Sequence, residues 1–160
     1  MTLFKNKYRI ESNRHKNWDY SSPSGYFVTI CTFERKCFFG EIINEKFLSS
    51  KIGMIVKEEW ENIPQVFSNV SLDHYVIMPN HIHGILVILD KNSNISLGHL
   101  ISQFKSKATK KILKSGNNIF RWQSNYYDRI IKNEKEFSDI RQYIDNNILK
   151  WDLDKYHQNN

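Results

Sequence analysis

The stretch from Ser71 to Asp90 constrains the fold more than any other part of the chain. Two runs of β-branched and other apolar residues, Leu72–Met78 and His81–Leu89, flank the single break Pro79-Asn80. Runs of this kind read as strands. Pro-Asn between them is turn chemistry. Neighbours joined so tightly pair antiparallel, so a sheet containing this hairpin is the centre of the expected fold.

The flanking segments supply the rest of the expectation. Tyr26–Thr32 reads as a buried strand, and a short second strand is expected around Cys37–Phe39, ended by Gly40. Lys46–Asn62 has helical spacing, with Phe47, Leu48, Ile52, Ile55, Val56 and Trp60 on one side. Pro64 ends it. Leu97–Ser115 is a second amphipathic helix whose apolar face is Leu97, Leu100, Ile101, Phe104, Ala108, Ile112 and Leu113. Ile119–Ile131 is aromatic-rich and extended at first. Asn133–Leu149 is a third helix carrying Phe137, Ile140, Ile144 and Ile148. Interleaved strands and helices around a hairpin predict an α+β sandwich of ferredoxin-like or RRM-like type, with a mostly antiparallel sheet.

A chain of 160 residues is long enough for one domain with a real core. The expected organisation is a single domain over 1–160, with a basic amino-terminal segment over 1–24 and a fraying tail over 152–160. Met1–Ile10 has no long apolar run and does not resemble a signal peptide. The longest apolar stretch, Ile85–Leu89, is too short to cross a bilayer. Cys31 and Cys37 match no zinc spacing and no disulfide framework. Together these predict a cytoplasmic protein with no membrane association. The formal net charge of +6 suits a polyanionic partner without naming one.

Three groups of residues carry chemistry. His81 and His83 are two apart in a strand, so both imidazoles leave the same face and can offer nitrogens to one metal ion. The same pattern suits two ordinary hydrogen-bonded histidines at a strand start. Tyr143 and Asn147 are four apart on the third helix and share a face at the edge of its apolar stripe. A tyrosine there either faces a cleft or simply anchors the helix by its ring. Lys105, Lys107, Lys110, Lys111 and Lys114 lie together on the second helix with no acidic residue among them. Arg121, Trp122, Tyr126, Tyr127 and Arg129 follow, and Arg14 and Trp18 precede. Rings among cations hold single-stranded nucleic acid, because bases stack on the rings while cations track phosphates. A solvated lysine face is the alternative.

Taken in order, Tyr26-Phe27-Val28-Thr29-Ile30-Cys31-Thr32, Val76-Ile77-Met78-Pro79-Asn80-His81-Ile82-His83-Gly84, Phe104-Lys105-Ser106, Trp122-Gln123, Tyr126-Tyr127-Asp128 and Tyr143-Ile144 resemble the HUH single-tyrosine transposases. The closer likeness is to the branch of REP-associated tyrosine transposases. It runs from about Arg9 to Trp151.

The resemblance implies a metal-dependent single-strand DNA endonuclease and strand-transferase. His81 and His83 match the family's metal-binding histidines. Tyr143 matches its nucleophile, which forms a 5′-phosphotyrosine, and Asn147 matches the amide that helps hold the metal. The implied cofactor is a divalent ion, magnesium or manganese, with zinc also compatible with imidazole. The implied partner is single-stranded DNA with a hairpin, bound by a monomer or a homodimer. One departure stands out: the branch often has proline after the asparagine, where this chain has Ile148. Tyr126 and Tyr127 are rival nucleophiles without an amide four residues on. Two other functions remain in view: a non-catalytic binding module for hairpin nucleic acid, and a small zinc hydrolase built on the histidine pair, for which no acidic third ligand stands nearby.

Overall fold

The computed structural model describes residues 3–4, 7–8, 18–20, 22–91 and 95–151. Its strands are β1 (Leu3–Phe4), β2 (Lys7–Tyr8), β3 (Ser24–Cys31), β4 (Gly40–Ile43), β5 (Lys46–Ser49), β6 (Val70–Met78), β7 (His81–Ile88) and β8 (Tyr127–Ile131). Its helices are α1 (Lys51–Glu61), α2 (Ile63–Val66), α3 (Leu97–Lys114) and α4 (Glu134–Asp145). None of them is long and apolar enough to cross a membrane.

The main sheet has the order β6-β7-β3-β8, and every neighbouring pair is antiparallel. In chain order β3, α1, β6, β7, α3 and β8 form a βαββαβ unit, the predicted ferredoxin-like α+β sandwich. The β6–β7 hairpin turns at Pro79-Asn80, as its sequence requires.

The two faces of the sheet are covered differently. Tyr26, Val28 and Ile30 of β3 and Ile82, Leu86 and Ile88 of β7 pack with Val56 and Trp60 of α1 and with Ile101 and Phe104 of α3. Ile85 packs with Ile131 and with Ile140 and Ile144 of α4 on the opposite face. Two glycines let the helices close on the sheet. A Cβ on Gly84 would run into the Trp60 ring, and one on Gly25 into the Phe137 ring.

The amino-terminal part of the first predicted helix is instead a strand. Lys46–Ser49 pairs with Gly40–Ile43 across Asn44 and Glu45, both left-handed at φ 52° and 62°. That is a two-residue hairpin turn. The helix begins only after Ser50, whose hydroxyl accepts from the Gly53 N–H at 3.0 Å. Phe47 and Leu48 happen to fall in helical phase with Ile52 and Ile55, so periodicity alone joined the strand to the helix across Ser50. The neighbouring strand starts at Gly40 rather than ending there, and Phe39 is fully buried in the core. Leu113, expected on the apolar face of α3, is 53% exposed. The 119–131 segment pairs first at Trp122, bridged to Thr32, and forms its regular strand only from Tyr127. Expectations for the tail over 152–160, and for most of the basic segment over 1–24, lie outside the described residues.

Candidate active site

His81 and His83 leave β7 on the α4 face, together with Ile85, because alternate residues share a face. Both are buried, and their ring centroids lie 4.5 Å apart at an interplanar angle of 73°. Each ring is held from behind. Nδ1 of His81 lies 2.8 Å from Oδ1 of Asn80, whose Nδ2 donates to the carbonyl of Arg35 at 3.0 Å. That carbonyl only accepts, so the amide orientation is fixed and Oδ1 must face the histidine. His81 therefore donates from Nδ1 and carries its lone pair on Nε2. Nδ1 of His83 lies 2.8 Å from the Thr29 hydroxyl, opposite it on β3.

Tyr143 stands in the last turn of α4, and its hydroxyl lies 3.4 Å from Nε2 of His83. The residue is 43% exposed, and its ring packs beside His83 and Phe27 at 5.3 and 6.0 Å. Asn147 was expected beside it on the same helical face. The helix instead ends at Asp145, capped by Asn146, in a run of Asp and Asn that favours turns over helix interiors. Asn147 lies in the turn that follows and is buried at 3% exposure. The Trp151 ring further on stacks 6.4 Å from that of His81. The segment from Tyr143 to Trp151 thus runs across both imidazoles, with Asn147 midway.

The donor set fits a divalent metal ion. Oδ1 of Asn147 is buried and has no hydrogen-bond partner among the described residues. An orphaned amide oxygen costs stability unless something binds it. Together with two imidazoles, such an oxygen would make a neutral ligand set that keeps open positions. No cluster of three or more His, Cys, Asp or Glu suited to a metal occurs among the described residues.

Helix α4 is tied to the sheet edge at the bulge where β6 slips register between Leu72 and Tyr75. Arg141 grips Asp73 with two bonds of 2.8 Å. These bonds hold the Asp73 carboxyl below its ordinary range. His74 and Asp145 meet at 3.0 Å one turn further on. Beside the tyrosine, between α4 and the β3–β8 face, opens a cleft of about 450 Å³ lined by Phe27, His83, Tyr127, Arg129, Asp139 and Tyr143.

The proposed DNA-contacting residues are dispersed. Arg14 lies outside the described residues. Trp18 donates to the Tyr26 hydroxyl at 2.8 Å. Helix α3 covers the sheet face opposite the histidines, so its lysines stand a full layer away from Tyr143. Lys105 donates to the carbonyls of Gln123 and Asn125. Lys111 pairs with Glu58 and Glu59. Lys107 and Lys110 lie at least partly exposed. Arg121 sits 4.4 Å over the Phe33 ring. Trp122 packs on Phe39, Phe104 and Phe120, and Tyr126 is buried with its hydroxyl toward Gly98 of α3. Only Tyr127 and Arg129 line the cleft at the tyrosine. Of the rival nucleophiles, Tyr126 thus belongs to the other face. Sequence reasoning passed over Asn80 and Thr29, which orient the two histidines. Asn80, directly before His81, was the one visible signal.

The description "Transposase IS200 like" matches residues 24–147, from the start of β3 to Asn147. The chain belongs to the IS200-like transposase family. Among similar proteins, an uncharacterized protein of Haemophilus influenzae is 36% identical over 90% of this chain and 91% of its own length. A second protein of that organism, assigned as a REP-associated tyrosine transposase, is 26% identical over 82% of this chain and 74% of its own. The structure of a REP-associated tyrosine transposase bound to a REP hairpin superposes with a TM-score of 0.66 at 15% identity, covering 89% of this chain and 74% of that one. A crystal structure assigned as a transposase from Deinococcus radiodurans gives 0.53 at 16% identity, covering 83% and 97%. The fold of the IS200-like chain is thus that of both solved structures.

Proposed function

We propose that the protein cuts single-stranded DNA beside a hairpin and rejoins it, with Tyr143 as nucleophile and a divalent ion held by His81, His83 and Asn147. The observation that carries this reading is the Tyr143 hydroxyl 3.4 Å from Nε2 of His83, at the mouth of the histidine pair. Family membership supplies the reaction class, and the hairpin-bound relative suggests the form of the DNA.

The chain's residues divide the work. The Tyr143 oxygen attacks phosphorus, forming a tyrosine–phosphate bond to the 5′ side as the bond to the 3′ oxygen breaks. The phenolic proton leaves Tyr143 and the departing 3′ oxygen gains one, so charge balances. One phosphoester is exchanged for another, and a second 3′-hydroxyl can reverse the step without ATP. His81, His83 and Asn147 would hold a magnesium or manganese ion, which when bound would supply Lewis-acid charge for the reaction. Asn80 and Thr29 keep both rings turned toward that position, and α4 delivers the hydroxyl.

The test is incubation with hairpin-bearing single-stranded DNA and manganese, followed by a denaturing gel. A protein–DNA adduct is expected. Binding without an adduct, with metal present, would replace this reading by a non-catalytic hairpin-binding module.

A further inference from the structure

The cleft beside Tyr143 is a poor place for a phosphate. Arg129 is the only Lys or Arg among the described residues that line it, and its guanidinium lies 3.5 Å from a carboxylate oxygen of Glu136. Asp128 and Asp139 line the same cleft and add two more carboxylates. A polyanion entering there would meet negative charge with its one counter-charge already paired.

The cleft does suit an uncharged flat ring. Its volume of about 450 Å³ lies in the range of small-ligand sites. Phe27 and Tyr127 leave the same face of neighbouring strands, since Phe27 pairs with Arg129 and Thr29 with Tyr127. Tyr127 is 42% exposed, so part of its side chain is accessible from solvent. At the inner end are the Tyr143 hydroxyl and His83. A nucleotide whose phosphate reaches that hydroxyl has its own base within a few bonds of the cleft.

We infer that the cleft is a subsite for one unstacked nucleobase next to the scissile phosphate, held against Tyr127 and Phe27, and that it fixes where along the strand the cut falls. This rests on the transesterification proposed above. Base–ring stacking of this kind tolerates any base and depends on the ring face, not on the Tyr127 hydroxyl.

The test combines substrate and protein changes. Hairpin DNA is first mapped for its adduct position, and an abasic residue is then placed in turn at each nucleotide flanking the cut. With the wild-type protein, one flanking abasic position should slow adduct formation about ten-fold. Tyr127→Ala should be slowed by a similar factor on intact DNA and lose its sensitivity to that abasic position. Tyr127→Phe should keep the wild-type penalty. An equal abasic penalty in wild type and Tyr127→Ala, or none at any flanking position, overturns the subsite while leaving the transesterification intact. No adduct on any intact hairpin overturns the transesterification and the subsite together.

Discussion

The Tyr143 hydroxyl and Nε2 of His83 stand 3.4 Å apart although sixty positions separate them in the chain. The contact joins α4, the only helix on that face of the main sheet among the described residues, to the inner strand β7 beneath it. It brings a candidate nucleophile and a candidate metal ligand to one point. The first prediction follows from it. Tyr143→Phe should abolish adduct formation while leaving DNA binding and the melting temperature near wild type. The ring still packs on His83 and Phe27, and only the attacking oxygen is lost. An adduct at full yield in that variant, mapped by peptide mass, would move the role to Tyr127.

His81→Ala and His83→Ala should each lose manganese binding by calorimetry and cleavage with it. Unchanged metal affinity in both variants would make the histidines structural and remove the mechanism proposed here.

Asn80→Ala tests the support behind His81 rather than the ligand itself. It removes the acceptor at 2.8 Å that fixes the ring and its tautomer. Loss of such an outer partner lowers metal affinity by about 10–100-fold. Calorimetry should show that loss with the fold intact, and an unchanged affinity would mean that packing alone orients the ring.

The Asp73–Arg141 pair gives a pH dependence with a definite sign. The Asp73 carboxyl lies below its ordinary range because of its bonds to Arg141. Its stabilisation is therefore complete above the unfolded pKa, about 4, and is lost as pH falls through the lower folded value. Wild type should be more stable than Arg141→Ala in denaturant titrations near neutrality. That difference should shrink below about pH 4, and a difference that stays constant with pH would show that the pair contributes through packing alone.

The lysines of α3 separate DNA contact from solvation. Each lost phosphate contact with a single strand should flatten the logarithmic salt dependence of binding by about 0.7. Lys110→Ala and Lys107→Ala are the cleanest variants, because Lys105 and Lys111 already bind protein groups. Slopes equal to the parent's would assign α3 to solvent and move the DNA path to the α4 face.

Much of the fold was legible because it rests on local pattern. Pro79-Asn80 between two apolar runs dictates a hairpin, and the two-residue spacing of His81 and His83 puts both rings on one side by strand geometry alone. The sequence also showed α3, whose spacing has no competing turn. It misled at Lys46–Ser49, where the left-handed pair Asn44 and Glu45 starts a hairpin and the apolar residues match helical phase by accident. The run Met78–Gly84 and the late Tyr143 carried the resemblance to the family.

Only the tertiary structure decided what those residues meet. Which sheet face a helix covers depends on contacts between distant segments, so no local pattern could say that α3's lysines lie opposite the histidines while Tyr143 lies over them. The partial burial of Trp122, the burial of Tyr126 and the exposure of Tyr127 turn on the same layering. Asn147 illustrates the division most clearly. The sequence determined an amide four residues after the tyrosine, but the helix stops at Asp145. The turn that follows, packed back across His81 through Trp151, buries that amide and leaves its oxygen without a protein partner among the described residues. Helix ends and buried polar atoms are set by what packs around them, and that information is spread over the whole chain.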